Sequence, residues 1–322
     1  MWLELRHPRP PGVLAVLAVL TIVSAVCFMT LGARGDWSFI LSFRGTKLAA
    51  MALVAYAIAV STVLFQTITN NRILTPSIMG FDALYALLQT LLVFFLGAAS
   101  VSTMEPRLLF LVEVAMMVCF SLLLYRILFS GAVRSLHLLM LVGIIFGVLF
   151  RSVAGFLQRI IDPNEFVVLQ DRLFASFNSI DSTLLGISAL LILLVSLAAW
   201  RISHTFDVMA LGRETAISLG VDHKRNTMII LMLVTILVSV STALVGPVTF
   251  FGLLVANLAY IVMPSAKHRY VLPAAVFISL VCLVGGQTVL ERLLAFDTAL
   301  SIVIEFAGGI FFILFVLRGA AR

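Results

Sequence analysis

Apolar residues fill this chain in long runs parted by short polar breaks. Ten runs stand out, near residues 13–31, 48–68, 77–97, 107–127, 138–157, 183–200, 227–245, 248–263, 271–290 and 298–317. A bilayer-crossing helix takes about 20 apolar residues, and a window of about 19 picks out each run. Gly246-Pro247 alone separates the seventh from the eighth. Proline cannot continue a helical ladder, so the pattern predicts two short spans there. The expected fold is all-α, a single polytopic membrane domain over residues 1–322 with about ten spans. The opening MWLELRHPRPPG precedes an apolar run as a signal peptide would. No small-residue cleavage site follows, so Val13 to Leu31 reads as a retained first span. Two polar segments interrupt the pattern: 158–181, with Asp162, Glu165 and Asp171, and 201–226. Loops of that length usually carry function or structure of their own.

Composition sharpens the exclusions. The chain is 62% hydrophobic and 11% charged, where soluble domains run near half and a quarter, so a soluble or disordered protein is ruled out. The net charge of +6 is first a matter of topology. With the N-terminus inside, thirteen Lys and Arg fall on the inner side and eight on the outer side or in the spans. That bias favours both termini in the cytoplasm. On the same count His7, His137, His204, His223 and His268 are all inner. No basic stripe of the kind that binds nucleic acid is visible. Cys27, Cys119 and Cys282 each sit in apolar runs and read as packing thiols. The spans hold no His/Cys cluster with ligand spacing, which disfavours free-metal transport and a resident metal. No cofactor is expected. A Walker A pattern is missing too, and its nearest approach, Arg44-Gly45-Thr46-Lys47, lacks the phosphate-cradling loop. The chain is therefore expected to be no enzyme, its energy coming from a separate subunit.

The inner segment DVMALGRETAISLGVDHKRN places Leu211, Ala216, Leu219 and Val221 on or near one helical face, with Gly220 as a C-terminal stop. It reads as an amphipathic surface helix, as a knob for a cytoplasmic partner's groove, or as a solvated loop helix. Glu214-Thr215-Ala216 followed by Gly220 resembles the EAA…G loop through which bacterial ABC importer permeases contact their ATPase. VGPVTFFGLLVANLAYIV (245–262) resembles the AGPIGFVGLVAPHIAR signature of FecCD-type permeases, which serve iron-siderophore and vitamin B12 importers. LFQTITNNRILTPSIMG (64–80) is similar to that family's LQGLLRNPLADPYLLG. The outer stretch 161–180 looks most like the ferric catecholate branch.

The resemblance implies a permease subunit in the bacterial cytoplasmic (inner) membrane, moving a ferric siderophore from a substrate-binding protein into the cytoplasm. An ABC ATPase subunit dimer would drive it. Leu211, Gly212, Arg213, Glu214, Ala216, Leu219 and Gly220 would form the coupling helix, and Arg44, Lys47 and Arg292 match cations that dock the binding protein. The chain departs from the family at Arg44-Gly45-Thr46-Lys47, which lacks the usual proline, and at Ala256-Asn257, in place of Pro-His. It departs again at Phe296-Asp297-Thr298-Ala299 and Gly308-Gly309-Ile310. Such divergence suits a heterodimer with a second, paralogous permease better than a homodimer. The spans hold Asp82, Glu113, Arg151 and Glu305, and a mid-bilayer charge costs about 2.5–3.5 kcal/mol, so each needs a partner or a cavity. Arg151, Glu113 and Glu305 fall about 8–12 Å below the outer surface, so Arg151 could pair with either glutamate. The family's pathway runs along the fifth and tenth spans, so Arg151 and Glu305 could instead face the substrate. Vitamin B12 or haem is the alternative cargo, and a proton-coupled secondary transporter the alternative class.

Overall fold

The computed structural model describes residues 9–33, 36–130, 136–178, 180–293 and 300–320. Arg6, His7, Arg34, Arg134, Arg322 and the stretch Phe296 to Ala299 lie outside the described residues. Among the described residues fourteen helices follow in order, and there is no strand. They are α1 (Pro10–Thr30), α2 (Trp37–Thr69), α3 (Phe81–Leu96), α4 (Ala98–Thr103), α5 (Pro106–Ser130), α6 (Leu136–Gln158) and α7 (Pro163–Leu173). Then come α8 (Ser182–Arg201), α9 (Phe206–Met209), α10 (Arg213–Ser218), α11 (His223–Val245), α12 (Phe251–Val262), α13 (His268–Leu293) and α14 (Leu300–Ala320). Seven are long and apolar enough to cross a membrane. Three shorter apolar helices, Phe81–Leu96, Phe251–Val262 and Leu300–Phe311, occupy the expected third, eighth and tenth positions.

The bundle is organised by α2. It begins at Trp37, well before the expected 48, because Asp36 caps it by accepting from the Ser38 amide at 3.2 Å. At 33 residues it is about 50 Å long, against a hydrocarbon core of about 30 Å, so its first turns stand beyond the membrane. Arg44 and Lys47 are thus helical rather than in a loop. Two faces of this one helix serve two hydrophobic cores. Ala57, Val60, Leu64 and Ile68 pack with α3, α5, α8 and α11. Met51, Ala55, Ala59 and Val63 pack with α1, α12, α13 and α14. Spacings of three and four residues give each core its own stripe.

Two breaks interrupt helices at depth. After α2 the chain runs irregularly to a single 3₁₀ turn, Pro76–Met79, before α3. After α11, Gly246 at φ +95° and Pro247 end the helix, as the sequence predicts. A Cβ at Gly246 would also lie 3.0 Å from the Ala175 Cα. In hydrocarbon an unpaired backbone group costs several kcal/mol, so such breaks survive only inside protein. Here the Gln66 and Asn257 side-chain amides both donate to the Arg72 carbonyl, at 2.8 and 3.1 Å. At the other break the Ser176 amide donates to the Val245 carbonyl at 2.8 Å.

The segment 158–181 has structure of its own. Asp162 caps α7 through the Asn164 amide at 2.9 Å, and Leu169 buries the helix against α3 and α4. Ala175 and Phe177 beyond it are plugged into the second core.

A close backbone-to-backbone crossing joins α6 to the turn before α3. Gly80 has φ +89°, and a Cβ there would meet Gly147 at 3.1 Å. A Cβ at Gly143 would lie 2.9 Å from the Met79 Cα. Gly143 and Gly147 form the small-xxx-small pattern that lets membrane backbones approach. Gly143→Ala should therefore cost about 1–3 kcal/mol through overpacking. Thermal unfolding in detergent checks this, with Gly155→Ala on the same helix, where nothing lies within 4 Å, as the silent control.

Candidate coupling surface and membrane path

Between α8 and α11 the chain leaves the bundle as a compact knob. A 3₁₀ turn at Ser203–Thr205 leads into α9, and Gly212 at φ +95° turns the chain into α10. Gly220 at φ +82° then ends that helix, where the Val221 amide returns to the Ala216 carbonyl at 3.0 Å. The expected coupling helix over 211–220 is thus only the six residues of α10, which begins after Gly212 because glycine readily adopts the conformation there. Phe206, Met209 and Ala216 are buried as anchors. Leu211, Ile217 and Leu219 are 59%, 54% and 60% exposed, and Arg213 and Glu214 flank them in the open. Three large apolar side chains thus stand exposed together on one knob, the kind of patch that marks interaction sites.

A hydrogen-bonded chain roots the knob in the bundle. The Asp207 Oδ1 accepts from the His268 amide at 2.8 Å and lies 2.7 Å from its ring Nδ1. On the other side of that ring, Nε2 lies 2.7 Å from the Thr67 hydroxyl. The knob is thereby joined to the start of α13 and the end of α2. Partial burial works to raise the Asp207 carboxyl, but the His268 hydrogen bonds and the nearby Lys267 outweigh it and hold the group below its ordinary range. Sequence reasoning missed this link, since residues 207 and 268 share no motif.

The four membrane-depth ionisable groups are placed unevenly. Glu113 on α5 is buried and accepts from the Gln89 side-chain amide at 2.6 Å. Asp82, at the start of α3, accepts from the Thr249 hydroxyl at 2.8 Å. The Thr249 backbone is also within electrostatic reach of Glu305 on α14, so one residue of the α11–α12 break stands near both carboxylates. Arg151 on α6 is exposed and within electrostatic reach of Asp82. No ion pair joins it to Glu113 or Glu305 among the described residues. The two breaks therefore meet at Asp82 and Thr249, beside a small pocket lined by Ser61, Thr62, Thr75 and Ser77. Arg151 and Glu305 lie on helices with open apolar faces, including Ile145, Val148 and Leu149 of α6 and Phe306, Ile310 and Ile313 of α14.

At the end opposite the knob, two of the three expected docking cations are engaged internally. Arg44 donates to the carbonyls of Phe28, Met29 and Leu31 at 2.9–3.1 Å, closing the C-terminus of α1. Lys47 is buried, 3.4 Å from Glu291 and 3.1 Å from the Asn178 side-chain Oδ1, to which it donates. Arg292 is exposed and packs over Gly32, whose φ is +58°.

A sequence model of the FecCD transport family matches residues 13–318. The petrobactin import system permease protein YclO of Bacillus subtilis (strain 168) is 48% identical over 95% of this chain and 96% of its own length. The petrobactin import system permease protein FatC of Bacillus anthracis is 40% identical over 86% of this chain and 78% of its own length. Among solved structures, a metal-chelate type ABC transporter in an inward-facing conformation superposes with a TM-score of 0.83 at 23% identity. That match covers 96% of this chain and 99% of the other.

Removing the Asp207 carboxylate should loosen the knob without melting the bundle. Asp207→Ala leaves two His268 donors unpaired, a cost of about 1–3 kcal/mol, read as faster proteolysis or hydrogen exchange within 202–222. The pH dependence has a definite sign. The carboxyl is held below its ordinary value of 3.8 in the fold, so its contribution is complete above that value and lost as pH falls through the folded one. The part of the knob's protection that depends on this carboxylate, read as the difference between wild type and Asp207→Ala, should vanish only below about pH 4.

Proposed function

The chain belongs to the FecCD transport family, and from that premise we propose that it is the permease subunit of an ABC importer carrying an iron(III)–siderophore complex of the catecholate type. Two relatives with substantial identity are petrobactin import permeases, and petrobactin is a catecholate-type siderophore. The cargo arrives from a substrate-binding protein and leaves on the cytoplasmic side of the bacterial inner membrane. A dimer of ABC ATPase subunits supplies the force, and a second, paralogous permease completes the path as a heterodimer.

The observation that carries this reading is the knob itself. A protein that crossed the membrane and worked alone would have no reason to hold Leu211, Ile217 and Leu219 in water while burying Ala216 beneath them. An ATPase groove that accepts this patch, with Arg213 and Glu214 at its edge, turns the knob into a lever. The end of the bundle that bears it is cytoplasmic on this reading. Arg72, Arg201, Arg213, Lys224, Arg225, Lys267 and Arg269 belong to that end, in keeping with the positive-inside rule. Arg292 is the outer cation best placed to meet the binding protein. Arg44 and Lys47 support that rim from beneath.

The open faces of α6 and α14 fit the second permease, with the path between the two subunits. Arg151 then faces the passing anionic chelate, and Glu305 stands across the cluster at the Asp82–Thr249 junction. A ferric chelate needs weak contacts at several places, because tight coordination would hold it in the membrane.

Two outcomes are expected. Burying one Leu side chain contributes about 1.5–3 kcal/mol, so Leu219→Ala should weaken capture of the ATPase subunits about tenfold while the bundle's melting is unchanged. Arg151→Leu should lower uptake of ferric petrobactin in cells lacking the native permease, with assembly intact. Uptake that persists beside a hydrolysis-dead ATPase would sink the importer reading and revive a proton-coupled carrier. Failure of the Arg151 variant to assemble would make that arginine structural.

A further inference from the structure

The helices α8 and α13 straddle α2 without packing closely on each other. Between them opens a groove of about 690 Å³, well within the range of about 300–1,000 Å³ typical of ligand sites. Its floor is Val60 and Leu64 of α2, and its walls include Ala199 of α8 with Leu272 and Val276 of α13. From Arg269 to Phe277 the groove follows α13 for about 12 Å. One leaflet's hydrocarbon is about 15 Å deep, so the groove matches one leaflet and not the whole bilayer.

Polarity changes sharply along it. The deep part is apolar, while the end near the knob holds Ser203, His204 and Arg269. Arg201 and Lys267 stand exposed beside that end. Trp200 is 77% exposed there, the position of an interfacial aromatic anchor. Arg269 stacks on the Tyr270 ring at 4.5 Å and donates to its hydroxyl, which presents the guanidinium outward rather than into the core. Asp207 is the sole carboxylate among the described lining residues, and it is already engaged by His268. The net field at that end is therefore positive.

We infer that this groove binds one phospholipid with an anionic headgroup, its acyl chain on Val60 and Leu64 and its phosphate among Arg201, Lys267 and Arg269. An amphiphile is the occupant that matches an apolar slot one leaflet deep with cations at one end only. A peptide would leave backbone groups unpaired in the apolar part. The same lipid would touch the wall that Asp207 and His268 share, so the headgroup lies at the root of the knob. The inward orientation proposed above decides only which leaflet supplies it.

The full-length chain in phosphatidylcholine nanodiscs, with phosphatidylglycerol added as probe, tests this by native mass spectrometry. Retention of phosphatidylglycerol over phosphatidylcholine is expected. Each juxtamembrane cation contributes about a 5-fold preference for an anionic lipid, so Arg201→Gln with Arg269→Gln should lower retention by more than tenfold. Val276→Trp should abolish it by filling the slot with the cations untouched. Equal retention of the two lipids, or retention unchanged in the arginine double variant, overturns the proposal. The double variant alters only exposed side chains, so its result stands whether or not the tryptophan variant folds. Binding is read without transport, so a chain that fails to import ferric siderophore could still pass, and one that imports it could still fail.

Discussion

The bilayer core offers no water to an unpaired backbone group, and that constraint governs the rest of this structure. A chain that needs irregular backbone at membrane depth must wrap it in its own helices. Of the two breaks, the inner part of the first, 74–80, and most of the second, 246–249, are wrapped in this way. Their carbonyls are met by Gln66, Asn257 and Ser176, and the pieces meet through the Thr249 hydroxyl on Asp82. Each break precedes a short helix, α3 or α12, that is third among five apolar helices in its half of the chain. An odd number of spans per half inverts the second half relative to the first. Short, Gly/Pro-interrupted helices at matching places in two such halves are the usual sign of a transport site at their junction. The cost of enclosing the breaks is what gathers Asp82, Thr249, Glu305 and Arg151 in one place.

The same central helix that walls off both cores also receives the knob. Asp207 reaches His268, and His268 reaches Thr67 near the end of α2. The knob is thus bonded to α13 and α2 together, in a core packed too closely to deform smoothly. Thr62 of α2 lies against Gly252 of α12 so closely that a Cβ at Gly252 could not be accommodated without movement. Contacts of α2 and one neighbour therefore connect the knob to the Asp82–Thr249 junction.

Much of this was legible in the sequence, for reasons that differ by residue. The ten apolar runs emerge as helices because bilayer insertion reads mean hydropathy, which is local. Gly246-Pro247 and Gly220 act where expected, since backbone restriction is also local. The start of α2 falls earlier than hydropathy predicts, because Asp36 and Ser38 form a cap that a hydropathy window does not see. Arg151 finds neither glutamate despite similar depth, because depth fixes one coordinate and the facing of α6 fixes another. Glu113 is instead satisfied by Gln89, a neutral residue that no count of charges considers. The Asp207–His268–Thr67 chain joins three segments far apart in sequence, and nothing short of the fold brings them together.

Arg44, Lys47 and Arg292 make the limit of such reading concrete. All three are cations at the same end of the bundle, and residue type and spacing treat them alike. A guanidinium near the end of α1 can face a partner or close three open carbonyls, and Arg44 does the latter. An ammonium in an apolar setting is tolerable only beside a counter-charge, so Lys47 is held by Glu291. Among the described residues Arg292 meets neither fate, and Gly32 offers it a surface to lie on. Which cation stays available to another protein is therefore decided by carbonyls, a carboxylate and a glycine on neighbouring helices. Exchange of Gly32 for a larger residue would reshape that rim as surely as loss of the arginine.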